Sequence, residues 1–181
     1  MATDWLVGDD RRTAGAERIY AAAADLIAGY GFDRFDIESL AQAVHCSRAT
    51  LYRHVGGKAQ ILEQVLSRQA RRINDIVLAA VEHLPPRERA VEAIATAVRE
   101  IRSDQVIAQL LVPRRQSDLA VFIDSATITA FAAENVGLDP ADSAGARWVT
   151  RVIFSMLLWP GASEESEVEM LRRFVGPAFT G

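Results

Sequence analysis

Apolar residues recur along the chain at three- and four-residue spacings, and no stretch alternates with a period of two. The pattern predicts an all-α fold of about nine helices with no sheet. Ile19, Ala22, Ala23, Leu26 and Ile27 share one face of a helix over about 14–29, with Gly29 and Gly31 near its stop. Phe32 and Phe35 follow as plugs for a small core. Ile37, Leu40, Ala41 and Val44 make a short second helix with Asp36 as its N-cap. A corner at His45-Cys46 leads into a third helix capped by Ser47. From Lys58 to about Ala80 a long helix carries the stripe Ile61, Leu62, Val65, Leu66, Ile73, Ile76 and Val77. Pro85-Pro86 breaks it and opens a helix to about Ile101. Further helices are expected over 104–112, over 116–136 (closed by Gly137), from Asp139-Pro140 to Trp159, and over 164–175.

Two domains follow from this order. Residues 1–57 form a three-helix head, with 1–12 as a disordered arm, and residues 58–181 form a larger helical domain.

The most informative stretch is 36–58, DIESLAQAVHCSRATLYRHVGGK. No acidic residue lies between Glu38 and Glu63, whereas Arg48, Arg53 and Lys58 all do, and Lys58 is the only lysine of the chain. A short apolar helix, a corner, then a helix bearing small, hydroxylated and basic side chains is what a DNA-reading helix-turn-helix requires. Arg48 opens the third helix, where a planar guanidinium can engage guanine O6 and N7 together. The competing reading is a solvated surface arginine. Arg53 reaches either a phosphate or an acid such as Glu63. Tyr52 bonds a phosphate or covers the small core. Ser47 and Thr50 hold phosphates or only cap the helix. His54 is a phosphate donor or a plain surface histidine. Lys58 begins a helix, where free N–H groups favour an anion, or is simply solvated. Leu51 belongs to the core, and small Ala49 lets the backbone approach the bases.

These residues resemble the tetracycline-repressor (TetR) family of transcriptional regulators over roughly residues 16–66. The carriers are Ile19, Ala22-Ala23 and Leu26-Ile27, then Gly31-Phe32, Leu40-Ala41, the run Ser47-Arg48-Ala49-Thr50-Leu51-Tyr52-Arg53-His54, and Lys58 with Ile61-Leu62. The resemblance implies a homodimer on a near-palindromic double-stranded DNA operator, released when a small effector binds the larger domain. It implies phosphate contacts from Ser47, Thr50, Tyr52, His54 and Lys58, and base or phosphate contacts from Arg48 and Arg53. Three departures stand out. His45 occupies the turn position where glycine is usual, Val55 stands where an aromatic is usual, and Phe35-Asp36 replaces a hydroxyl-bearing helix start. Gly56-Gly57 are expected to loosen the approach to the fourth helix.

In the larger domain, Trp148, Val152, Ile153 and Met156 stripe one helix and Leu171 and Phe174 the next. The simple account is intrachain core. The resemblance favours a dimer interface for part of the stripe. Ile94, Val98, Ile101, Phe122 and Phe131, with Gln105 and Gln109, are the candidate lining of a mostly apolar effector cavity.

Composition adds bounds. The formal charge of −4 argues against DNA binding by the whole surface and leaves room for a local basic site. Cys46 is the sole cysteine, so no intrachain disulfide can form, which fits a cytoplasmic protein. No apolar run is long enough for a membrane span. His45, His54 and His83 lack metal-ligand spacing, and no nucleophile elbow or glycine-rich phosphate loop is present. No cofactor, metal or catalytic residue is therefore expected. The competing functions are a helical ligand carrier or protein-interaction module with a degenerate DNA head, and, less favoured, a helical enzyme.

Overall fold

The computed structural model describes residues 4–111 and 125–179. Among the described residues there are nine α-helices and no strand: α1 (Asp4–Tyr30), α2 (Ile37–Ala43), α3 (Arg48–Val55), α4 (Lys58–Val81), α5 (Pro86–Ser103), α6 (Gln105–Leu111), α7 (Ala126–Val136), α8 (Ser143–Leu158) and α9 (Glu164–Met170). The all-α fold is as the periodicity predicts. A π-helical turn at Leu171–Val175 and a 3-10 turn at Gly176–Phe179 follow α9, where a single α-helix over 164–175 was expected. Pro177 has no N–H to donate, so the ladder cannot continue in α form through it. Helix α1 starts at Asp4, ahead of the expected position near residue 14, so residues 4–12 continue the helix in place of the expected arm. Helix α7 begins only after extended Ser125, and Asp142 rather than Asp139 caps α8 by accepting from Gly145 N at 2.8 Å.

The chain divides into two compact units, Met1–Gln69 and Ala70–Gly181, with the division inside α4. The first closes around Ile19, Ala23, Ile27, Phe35, Leu40, Leu51, Val55, Ile61 and Val65, all buried. These come from each of α1 to α4 and from the Phe35 plug, so every helix stripe read from the sequence supplies one wall. Arg68 of α4 pairs with Glu17 of α1 and lies 4.4 Å above the Tyr20 ring, fixing α4 along α1.

In the second unit α5 is the central helix. Ala90, Val91 and every residue from Ala93 to Val98 are buried, which is the signature of a helix packed on several sides. Ile73, Val77 and Val81 of α4, Ala132 and Val136 of α7, Val149 and Met156 of α8, and Leu171 and Val175 complete this core. Polar ends are closed by side chains. Asp104 accepts from Val106 N and Ile107 N at 2.9 Å and from Arg72 at 2.7 Å, so one buried carboxylate caps α6 and joins it to α4. Arg89 donates to the carbonyls of Glu134 and Asn135 at the end of α7, satisfying acceptors the helix leaves open.

Candidate functional site

The corner between α2 and α3 sets the geometry of the head. The Cys46 N–H bonds the Ala41 carbonyl at 3.0 Å and the His45 N–H bonds that of Gln42 at 3.2 Å, the pair of bonds that closes a helix through one left-handed residue. His45 is that residue, with φ of 53°, the one positive φ outside glycine among the described residues. The same closure ends α7, where Gly137 takes φ of 77° and the bonds run from Gly137 N to Glu134 and from Leu138 N to Ala133. The replacement of glycine by His45 therefore leaves the corner's hydrogen bonds intact.

Both caps read from the sequence are present. Asp36 accepts from Ser39 N at 2.8 Å and from the Ser39 hydroxyl at 3.0 Å. These bonds, the backbone one foremost, hold its carboxyl below the usual aspartate range, opposed by a small burial effect. Ser47 accepts from Thr50 N at 3.2 Å, and the two hydroxyls lie 2.9 Å apart. Leu51 and Val55, four residues apart, turn into the core, which leaves Arg48, Ala49, Tyr52 and Arg53 on the outer face of α3. Tyr52 is 56% exposed, and Ser47 and His54 are also exposed, while Thr50 is half-buried. The structure thus carries the sequence-derived set on one short helix and its cap, except for Lys58, which begins α4. Val55 serves as a core plug where an aromatic was usual. Gly56 takes φ of 80° and ψ of −158°, and a Cβ there would meet Gln60 Oε1 at 1.8 Å. Gln60 accepts from Gly57 N at 2.9 Å. This glycine pair is thus a bonded joint, not the loosened approach that was expected.

Two features of the site were missed from the sequence. Arg48 lies 3.9 Å from Glu38 of α2, both well exposed, and a shallow depression runs between them, lined also by Ala41, Gln42, His45, Cys46 and Ser47. The signal was there, since Glu38 is the acid that bounds the acid-free stretch. Lys58 donates to the Phe35 carbonyl and sits 5.8 Å from the centre of the Phe35 ring. An ammonium carries three donors, so this bond leaves two for an anion.

The sequence profile of bacterial regulatory proteins of the tetR family matches residues 19–65, from the second half of α1 through α2 and α3 into the first turns of α4. Two Mycobacterium tuberculosis proteins described as HTH-type transcriptional regulators are 32% identical to this chain over 186 residues, covering 98% of it and 91% of their own length. The chain belongs to the tetR family. It is a DNA-binding transcriptional regulator of the helix-turn-helix type. The TetR family repressor AlkX from Dietzia sp. superposes with a TM-score of 0.63 at 16% identity, over 88% of this chain and 92% of that one. AibR, solved with isovaleryl coenzyme A and operator DNA, gives 0.52 at 18%, over 87% and 96%. At those identities the likeness is one of fold, a helix-turn-helix head followed by a helical domain.

In this tetR-family chain the residues named for an effector are scattered. Ile94 and Val98 are buried in the core around α5, Ile101, Gln109 and Phe131 are half-buried, Gln105 is exposed, and Phe122 lies outside the described residues. A cavity of about 290 Å³ opens on the second unit. It is lined by Ala95, Val98, Arg99, Arg102, Ser103, Met156, Glu164, Glu167, Val168 and Leu171, so of the six named residues that are described only Val98 reaches it. Among the residues named for a dimer interface, Trp148 (43%) and Phe174 (68%) are exposed and Val152 and Ile153 half-buried. Met156 and Leu171 are corrected to the intrachain core, where at 9% and 3% exposed they offer little surface to a partner. Trp159 and Met170 are exposed apolar residues not named from the sequence. No helix among the described residues is long and apolar enough to cross a membrane, and they contain no grouping of His, Cys, Asp or Glu that could hold a metal.

Proposed function

We propose that this regulator is a homodimeric, cytoplasmic repressor that grips a palindromic operator through residues 1–57 and is released by a small, largely apolar effector taken up by residues 58–181. The observation that carries the reading is the division of labour within α3: Leu51 and Val55 buried, with Arg48, Ala49, Tyr52 and Arg53 turned outward beside Ser47. Arg48 and Arg53 contact bases or phosphates. Ser47, Thr50, Tyr52, His54 and Lys58 hold phosphates, and Ala49 gives the backbone its close approach. Exposed Trp148 and Phe174, with half-buried Val152 and Ile153, supply the twofold contact.

Effector binding is supported by the domain order and by two further features. AibR, which shares the fold, has been solved with a coenzyme A thioester and operator DNA together. Asn74 in α4 is buried with its side-chain oxygen unpaired, a place for a donor from a ligand or a water. The reading assigns binding, not catalysis, to the chain.

Selection from random duplexes tests it. The wild-type chain should enrich a near-palindromic sequence whose affinity falls steeply with salt, because each neutralised phosphate releases counterions. Arg48→Ala combined with Tyr52→Ala should abolish the enrichment. Unchanged binding by that double variant would remove α3 as the reading helix.

A further inference from the structure

We propose that the cavity on the second unit binds a small zwitterion, an α-amino acid with an apolar side chain. The inference rests on the effector reading above and gives the ligand a place and a chemical class.

Two helical stripes line the cavity. Ala95, Val98, Arg99 and Arg102 follow one face of α5 at three- and four-residue spacing. Glu164, Glu167, Val168 and Leu171 repeat that spacing along α9 and the turn after it. Ala95, Val98, Met156 and Leu171 are buried and make an apolar floor, with Val168 half-buried beside them. Arg99 and Glu164 are exposed at the mouth. At about 290 Å³ the space suits a small metabolite, since sites for drug-sized ligands run from about 300 to 1,000 Å³.

Charge and hydrogen bonding select the head group. The lining holds two guanidiniums and two carboxylates, so its formal charge is zero. Arg102 and Glu167 are bound to each other by two bonds of 2.7 Å. Arg99 and Glu164 share one, from Nε to Oε1 at 2.8 Å. That second pair leaves capacity of both signs at the mouth. Arg99 Nη1 and Nη2 donate no hydrogen bond among the described residues, and Glu164 Oε2 accepts none. The free groups belong to two directly bonded partners, close enough for the head of one α-amino acid to reach both.

A lone anion placed here meets the carboxylates of Glu164 and of Glu92, which lies 4.0 Å from Arg99 Nη2, and brings no charge to match them. A lone cation meets the two guanidiniums in the same way. A neutral molecule covers the free donors and the free oxygen without serving them. A zwitterion serves both: its carboxylate takes the Nη groups of Arg99, its ammonium takes Glu164 Oε2, and its side chain enters over Val98, Met156 and Leu171. The rival account makes Arg99–Glu164 an ordinary exposed ion pair of little consequence, and it predicts no ligand.

Isothermal titration calorimetry of the full-length chain with L-leucine, L-methionine and L-phenylalanine tests the proposal. At least one should bind with a Kd below about 1 mM. The matching acid without the amine, and the matching amine without the carboxylate, should bind at least about tenfold more weakly. Arg99→Gln and Glu164→Gln should each weaken the amino acid about tenfold while the melting temperature stays near that of the wild type, because an exposed pair adds little to folding. No binding by any of the three amino acids would overturn the site. A matching acid or amine as tight as the amino acid would overturn the zwitterion class, and full affinity in both variants would overturn the location. Operator titration separates this from the reading beneath it. A bound amino acid that leaves operator affinity unchanged keeps the site and removes its role as the effector. Operator release by an unrelated compound, with no amino acid bound, removes the site and keeps the effector reading.

Discussion

Arg102 and Glu167 meet fork to fork, with Nη1 to Oε2 and Nη2 to Oε1 both at 2.7 Å, and the glutamate is 3% exposed. The same guanidinium donates to the Met156 carbonyl, and the same carboxylate accepts from Gly161 N at 2.7 Å. One ion pair thereby ties the end of α5 to the end of α8, to the loop after it and to α9. Bidentate geometry with a further hydrogen bond to the carboxylate is what lets such a pair offset its own desolvation.

Breaking that pair should be expensive. Glu167→Ala leaves Arg102 without its carboxylate and Gly161 without its acceptor, a loss of about 1–3 kcal/mol, below that of a fully buried pair because water reaches Arg102. Urea unfolding followed by circular dichroism measures it. A loss under about 1 kcal/mol would mean that solvent replaces the carboxylate freely.

The same pair sets a pH dependence. The hydrogen bonds from Arg102, more than the one from Gly161, hold the Glu167 carboxyl below the usual glutamate range against the opposing effect of burial. A depressed folded value means the contribution is fully present above the unfolded pKa of about 4.3 and is lost as pH falls through the folded value beneath it. Stability of the second unit should therefore be flat in this respect from neutral pH to about 5 and drop below about 4. In Glu167→Gln that acid-side drop should be shallower. Parallel slopes for the two proteins would assign the acid sensitivity to other carboxylates.

In the proposed DNA contact, Glu38 and Arg48 are expected to behave in opposite ways. The Arg48–Glu38 pair is exposed and long at 3.9 Å, so it contributes little stability and releases the guanidinium at little cost. Arg48→Ala should lose about 1–3 kcal/mol of operator binding, whereas Glu38→Gln should tighten binding a few-fold by removing a negative charge facing the phosphates. Titration of labelled duplex at two salt concentrations distinguishes them, and weaker binding by Glu38→Gln would show that the acid positions Arg48 rather than repelling DNA.

Lys58 has a second attachment that separates it from Arg53. Its bond to the Phe35 carbonyl and its place near the Phe35 ring tie the start of α4 to the loop before α2. Lys58→Ala should therefore lower both operator affinity and the stability of the head, the latter by about 1 kcal/mol. Arg53→Ala should lower affinity alone. Equal melting temperatures for the two variants would leave the Phe35 bond without consequence.

The head was legible because its signals are local. The Asp36 and Ser47 caps, the four-residue spacing of Leu51 and Val55, and the acid-free run from Ser39 to Leu62 each act within a few residues. The second unit was less so, because its decisive contacts join residues far apart in sequence. Arg102 and Glu167 are 65 residues apart, and Arg72 and Asp104 are 32 apart. Neither pairing leaves a local pattern in the sequence. Met156 and Leu171 were misplaced for a related reason. An apolar stripe shows that a helix buries a face, and only packing shows whether α5 or a partner covers it. The His45 corner was legible as a departure from glycine, but not its outcome, since a left-handed φ depends on the hydrogen bonds that enforce it.

Those bonds make His45 a test of stored backbone strain. With φ of 53°, a residue bearing a Cβ pays about 1–2 kcal/mol for the left-handed conformation, and a β-branched residue pays more. Glycine takes the conformation freely but loses about 0.5–1 kcal/mol to its greater unfolded-state freedom. His45→Gly should thus be neutral to stabilising, by up to about 1.5 kcal/mol, and His45→Val destabilising by more than about 1 kcal/mol. Because the His45 side chain is exposed, lost packing does not confuse the comparison. If the corner holds α3 in its reading pose, operator affinity should follow the same order, with valine weakest. Equal stability of the valine and glycine variants would show that the turn relaxes to another conformation, and equal affinity would show that DNA itself imposes the corner.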